Sequence, residues 1–285
     1  MKLWKKSPCA TLLLAAGLLV SSSIAQAQEL FDLAKIKADG TLKVGVYNNL
    51  LPFSDKGKGI DVEIGEALAA KLGLKARVLP FDADETFSDD LRNMVWRGTL
   101  FGYGPADVMM HSPIDDYLIK NESKILFVAP YAREEIFIAR NAEKLPNLDS
   151  LEAFGTGQFK IGAEVASISS EVLAGADSRA YINNLVNFKS PYLAVDAMIK
   201  GEIDAVMATR AELEGALFNK PGADKFVVAK ARHNNLPAQG WPVGLAVKAA
   251  NKELAKALVQ AVQELQASGE LEKIFARYGV RYIRP

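Results

Sequence analysis

The sequence predicts an α/β protein built as two lobes of similar design, and two observations predict it. Leu42-Lys43-Val44-Gly45-Val46 alternates as a strand. A stretch with Ile60, Ile64, Ala67, Leu68 and Leu72 on one helical face follows, and Ala76 to Phe81 reads as a second strand. A strand, helix, strand order of this kind closes into a parallel unit, so the sheets should be largely parallel. The second observation is an echo. Leu91 to Gly98 reads as a short helix ending at glycine, followed by the strand Ala106-Asp107-Val108-Met109-Met110. Leu193 to Gly201, followed by Ile203-Asp204-Ala205-Val206-Met207, repeats the pattern about a hundred residues later.

Each element has a local reason. Asn48, Asn49 and Pro52 break the first strand, and Gly73 stands where a helix C-terminus wants a left-handed residue. Ile161-Gly162-Ala163-Glu164-Val165 reads as a strand, and Ser167, Ser169 and Ser170 lead into a helix as capping residues do. Two apolar runs of strand length, Ile136 to Ala139 and Val243 to Val247, are the expected crossings between lobes. Asn251 to Ala267 carries Leu254, Leu258, Val262 and Leu265 on one face. Ser268-Gly269 ends it, and Leu271 to Tyr278 forms a last short helix.

The N-terminus reads as an export signal. Lys2, Lys5 and Lys6 precede an apolar run from Ala10 to Val20, and Ala25-Gln26-Ala27 has the small-residue pattern of a cleavage site. The run is shorter than the roughly 20 residues of a membrane-spanning helix, so cleavage is preferred over an anchor. The single cysteine, Cys9, precedes the apolar run and leaves with it. The mature chain then has neither a disulfide nor a thiol nucleophile. The full chain balances 34 basic against 34 acidic residues, and losing three lysines makes it slightly acidic. Nothing in that balance points to nucleic acid or an anionic membrane surface.

The ordered pieces Leu42 to Val46, Pro52-Phe53, Gly59-Ile60-Asp61-Val62-Glu63-Ile64, Ala106 to Met109, Ala129-Pro130-Tyr131, Gly201 to Val206 and Leu265 to Leu271 resemble the family 3 extracellular solute-binding proteins. The resemblance implies the type II periplasmic-binding-protein fold: two α/β lobes, two hinge strands and a ligand cleft between them. It assigns residues 28–135 with 243–285 to lobe 1 and 136–242 to lobe 2. It also implies a small-molecule ligand, a transporter permease as partner, a monomer, no cofactor and no enzymatic activity.

Carried over residue by residue, the family's ligand positions fall on Tyr47, Leu50, Phe53, His111, Ser112, Ser167, Ser169, Ser170, Thr209 and Arg210. Members that bind α-amino acids clamp the carboxylate with an arginine, whose planar fork matches it. Here that stretch is His111-Ser112-Pro113-Ile114-Asp115-Asp116-Tyr117-Leu118, and there is no arginine between Arg97 and Arg133. Thr209 replaces the family's amine-binding aspartate, and Leu50 its covering aromatic. The expectation is a less charged ligand than a standard α-amino acid.

Other chemistries fare worse. His111, Asp115 and Asp116 match no established metal-ligand spacing. His111 and Ser112, adjacent on a strand, point to opposite faces and do not form a catalytic couple. The insertion Thr99-Leu100-Phe101-Gly102-Tyr103-Gly104-Pro105 reads either as an exposed docking patch or as local loop packing. Arg92-Asn93, Asp107-Val108-Met109 and Pro113 also resemble the accessory J proteins of methanol dehydrogenase systems. That resemblance makes a periplasmic quinoprotein dehydrogenase or its cytochrome the alternative partner. A cyclohexadienyl-dehydratase-like enzyme is a third reading, without a visible acid/base pair to support it.

Overall fold

A computed structural model describes residues 31–146 and 150–285. The expected export signal, residues 1–27, lies outside the described residues.

The strands form two five-stranded sheets and one small hairpin. The first sheet contains β1 (Thr41–Tyr47), β4 (Lys75–Phe81), β5 (Val108–Pro113), β6 (Ile125–Glu134) and β12 (Trp241–Lys248), in the order β4-β1-β5-β12-β6. The hairpin, β2 (Asn49–Leu50) and β3 (Ser54–Asp55), projects beyond the end of β1. The second sheet contains β7 (Ile136–Asn141), β8 (Ile161–Glu164), β9 (Leu185–Phe188), β10 (Ala205–Thr209) and β11 (Phe226–Lys230), in the order β11-β7-β10-β8-β9. In each sheet one strand lies between two parallel neighbours: β1 between β4 and β5, and β8 between β9 and β10. The strands beside the crossings run antiparallel.

The echo in the sequence has a structural meaning. Asp107 accepts a hydrogen bond from the Lys43 main-chain N–H at 2.8 Å, and Asp204 accepts one from Lys160 at 2.9 Å. The main-chain N–H groups of the same two aspartates donate back to the carbonyls of Lys43 and Lys160. In each sheet a carboxylate thus satisfies an amide near the start of the neighbouring parallel strand, within β1 at Lys43 and just before β8 at Lys160. β5 and β10 accordingly begin after their aspartates, at Val108 and Ala205, two residues later than the apolar pattern suggests.

Helices cover both faces of each sheet, so successive side chains of a strand enter different cores. Ile136 and Ile138 of β7 pack with Leu151, Phe154 and Leu173, whereas Phe137 and Ala139 pack with Val195, Met198 and Leu213. The chain ends on the first sheet. Leu254, Leu258, Val262 and Leu265 of the helix Lys252–Ala267 and Leu271, Ile274 and Phe275 of the helix Glu270–Arg277 join its core.

Glu135 alone separates β6 from β7, and the chain returns through Gly240 immediately before β12. The sheets also meet through the helix Arg210–Leu217. Its Ala211 belongs to the core of the first sheet, and a Cβ on its Gly215 would stand 3.0 Å from Pro52.

Candidate functional site

Two adjoining cavities, of about 330 and 110 Å³, open between the sheets and share Glu164, Pro191 and Glu212 in their walls. The hairpin supplies Asn49, Leu50, Leu51 and Asp55 to the larger one, opposite Lys189, Ser190 and Tyr192. The smaller lies between Ser167, Ser169, Thr209 and Trp241.

Helix starts position much of this wall. Ser167 caps the helix Ile168–Arg179 by accepting from the Ser170 N–H at 3.2 Å, and Ser170 accepts from the Ser167 N–H in return. Thr209 caps the helix Arg210–Leu217 in the same reciprocal way, with the Glu212 carboxylate 3.0 Å from the Thr209 N–H. Such a capping box satisfies the third amide of the helix and the N–H of the cap residue itself. It also holds Glu212 at the cavity wall.

The floor is acidic. Glu134, almost wholly buried at the end of β6, is pushed by burial up to about 7, against the pull of His111 and the Thr209 hydroxyl. Burial likewise pushes Glu212 up to about 7, helped by the negative charge of Glu164 and opposed by the Thr209 amide and His111. Burial raises Glu164 itself. Three carboxylates therefore crowd one space, where Glu164 makes ionisation of Glu212 harder and Glu212 that of Glu134. Beneath them His111 lies 3.1 Å from Asp61, whose other oxygen accepts from the Tyr131 hydroxyl at 2.6 Å. Burial opposes charging of His111, but Asp61, Glu134 and Glu212 outweigh it and raise its pKa.

No family model matches the sequence. The L-cystine-binding protein TcyJ of Escherichia coli K12 is 24% identical over 257 residues, spanning 86% of this chain and 85% of its own length. An ancestral cationic amino acid solute-binding protein superposes with a TM-score of 0.68 at 20% identity, over 87% of this chain and 99% of its own. A polar amino acid ABC uptake transporter substrate-binding protein from Streptococcus thermophilus gives 0.65 at 17% identity, over 88% and 90%. The fold is the two-lobed fold of these solute-binding proteins. Among the described residues no helix is long and apolar enough to cross a membrane.

Against that fold the sequence-predicted ligand residues separate into two groups. Leu50, Ser167, Ser169 and Thr209 line the cavities. The others lie elsewhere. Tyr47 donates to Asp90 at 2.7 Å, on the far side of β1. Phe53 is 1% exposed, its ring 4.1 Å from that of His111. Ser112 is fully enclosed, because β5 is the central strand of its sheet. Ser170 is buried in the capping box. His111 stands in the left-handed region with φ 57°, which interrupts the strand's alternation, and pairs with Asp61 below the cavity. Arg210 lines neither cavity: it donates to the Arg281 carbonyl at 2.8 Å and lies 3.6 Å from Glu214, and its charge reaches Glu134 from behind the wall.

Asp115 caps the helix Asp116–Asn121 by accepting from the Leu118 N–H, apart from His111. In the insertion, Leu100 and Phe101 are exposed while Tyr103 packs against Phe81 at 4.9 Å.

Sequence reasoning missed Glu134, Glu164, Glu212 and Trp241. The Thr209-x-x-Glu212 spacing is a legible capping box, and it signals the helix start but not the cavity. Glu134 and Trp241 are cross-strand partners at the two crossings, a juxtaposition only the fold creates.

Proposed function

We propose that this chain is a periplasmic solute-binding protein that captures a small solute between its lobes and delivers it to an ABC transporter. The carrying observation is that one continuous cavity wall is built from both sheets: the hairpin and Trp241 on one side, Glu164, Ser167, Thr209 and Glu212 on the other. A ligand seated there touches both lobes and stabilises them together, which is how hinge-closing receptors couple binding to shape. The relation to a cystine-binding protein and the fold shared with amino-acid binding proteins support the reading. The lobes rotate about Glu135 and Gly240; since β12 of the first sheet begins at Trp241, we take them as residues 28–135 with 241–285 and residues 136–240, two residues from the boundary expected at 242. The protein acts by binding and release, without chemical change to the solute, and export removes residues 1–27.

The test uses protein purified from periplasm. Its intact mass should begin at Gln28. Native mass spectrometry should show a small molecule that dialysis removes, and scattering should show a smaller radius of gyration when it is returned. A chain that carries and binds no small molecule, with an unchanging radius, would overturn the reading.

A further inference from the structure

We propose that the cavity selects an organic cation without an α-carboxylate, seated between Glu164 and Glu212 with the Trp241 ring beside it. This rests on the reading of the cavity as the ligand site and names the class of ligand.

The argument is one of charge and shape. Glu164 and Glu212 line both cavities, and Asp55 adds a third carboxylate to the larger. Glu134 lies buried next to Glu212, and Trp241 lies across the strand from Glu134, so their side chains share the face turned to the cavity. A desolvated carboxylate without a counter-charge is costly, and this wall holds several. Among the described residues the one cation in either lining is Lys189, which is exposed. Arg210 is buried and lines neither cavity; it donates to the Arg281 carbonyl, lies 3.6 Å from Glu214 and offsets only part of the charge of Glu134. His111 is matched by Asp61.

A ligand carboxylate would therefore meet repulsion and no fork to hold it. The capping boxes satisfy the Ser170 and Glu212 amides, and the Arg210 amide donates to the Glu135 carbonyl, which leaves fewer helix amides to an anion. An ammonium or guanidinium meets the reverse: two half-buried carboxylates and an aromatic face. A metal ion does not fit as well, since among the described residues no three His, Cys, Asp or Glu side chains are arranged to hold one. A combined volume of a few hundred Å³ suits a small amine.

Calorimetry and scattering with agmatine, putrescine, choline, L-arginine, L-cystine, succinate and glucose test this. At least one of the three carboxylate-free cations should bind and contract the radius of gyration, about tenfold or more tighter than L-arginine. Glu164→Gln should weaken that binding about tenfold while leaving the far-ultraviolet spectrum unchanged. Glu212→Gln should do the same, since glutamine preserves the capping box. Tighter binding of succinate, glucose or an amino acid, with contraction, would leave the binding-protein reading standing and overturn the cation class. Undiminished cation binding by both variants would overturn it as well. If nothing in the panel binds at about 1 mM, the class falls. The native mass spectrum then decides the parent reading separately.

Discussion

Gly240 lies directly on the main chain of Glu134: a Cβ built on it would stand 1.8 Å from the Glu134 carbonyl oxygen. The two crossings between sheets touch here, and Gly240 adopts φ 63° to let them. Gly240→Ala combines a left-handed backbone with a clash against a carbonyl that cannot swing aside. The expected cost is about 2–4 kcal/mol, from strain and displaced backbone together. Urea denaturation measures it, and a loss under about 0.5 kcal/mol would show that the crossings are slack.

The carboxylates of the cavity set a pH dependence with an unusual sign. Glu134 and Glu212 rise from 4.5 to about 7 in the folded chain. Between those values the native protein holds protons that the unfolded chain releases, so stability falls as pH rises through that window. His111 acts in the same direction. Its raised pKa contributes stability that is present below the ordinary value of 6.5 and lost as pH climbs through the folded value. The groups facing this cluster are Asp61, Glu164, Arg210 and the Thr209 hydroxyl. The ligand-free protein should melt at a higher temperature at pH 5 than at pH 8, and Glu212→Gln should flatten the profile. A melting temperature that climbs across this window would contradict the assignment.

Much of the fold was legible because its signals are local. The alternation in β1, the apolar face of Ile60–Lys71 and the glycine at 201 each report on a few neighbouring residues. Gly201 does adopt the left-handed cap, with φ 80°. The cavity was less legible because its charged residues gain meaning only across long separations. Glu134 ends a strand of the first sheet, and Glu212 lies in the first turn of the helix that follows β10 of the second. In sequence one reads as a strand end and the other as a helix cap. Arg210 shows the converse: it stands at a family ligand position, but the returning C-terminal tail captures it.

That capture ties the tail to both lobes. Arg281 accepts from Arg210 and donates its N–H to Glu214 at 2.8 Å, while the Ile283 carbonyl accepts from the Arg133 N–H at 3.2 Å. Arg210→Ala removes a buried guanidinium and leaves the Arg281 carbonyl without its donor. About 1–3 kcal/mol of stability should go with it, and the amide of Arg281 should exchange faster with solvent. Unchanged exchange at Arg281 would mean that Glu214 alone holds the tail.

The buried trio beneath the cavity supports the sharpest stability prediction. Asp61 is 1% exposed, and its carboxylate meets the Tyr131 hydroxyl at 2.6 Å and the His111 ring at 3.1 Å. The Tyr131 oxygen in turn accepts from the His111 N–H at 3.0 Å. The position of Asp61 in the first turn of Ile60–Lys71 adds the favourable end of the helix dipole. Asp61→Asn keeps the shape but strands the His111 charge, and breaking one half of a buried pair costs about 3–5 kcal/mol. Tyr131→Phe removes one hydrogen bond to Asp61 and the acceptor for the His111 amide, and should cost about 1–3 kcal/mol. Denaturation of both variants ranks the two effects, and the His111 titration read by NMR should move down in Asp61→Asn and stay raised in Tyr131→Phe. If Asp61→Asn is the milder change and the His111 titration does not move, the ion pair does not organise this floor, and Tyr131 does so through its hydroxyl.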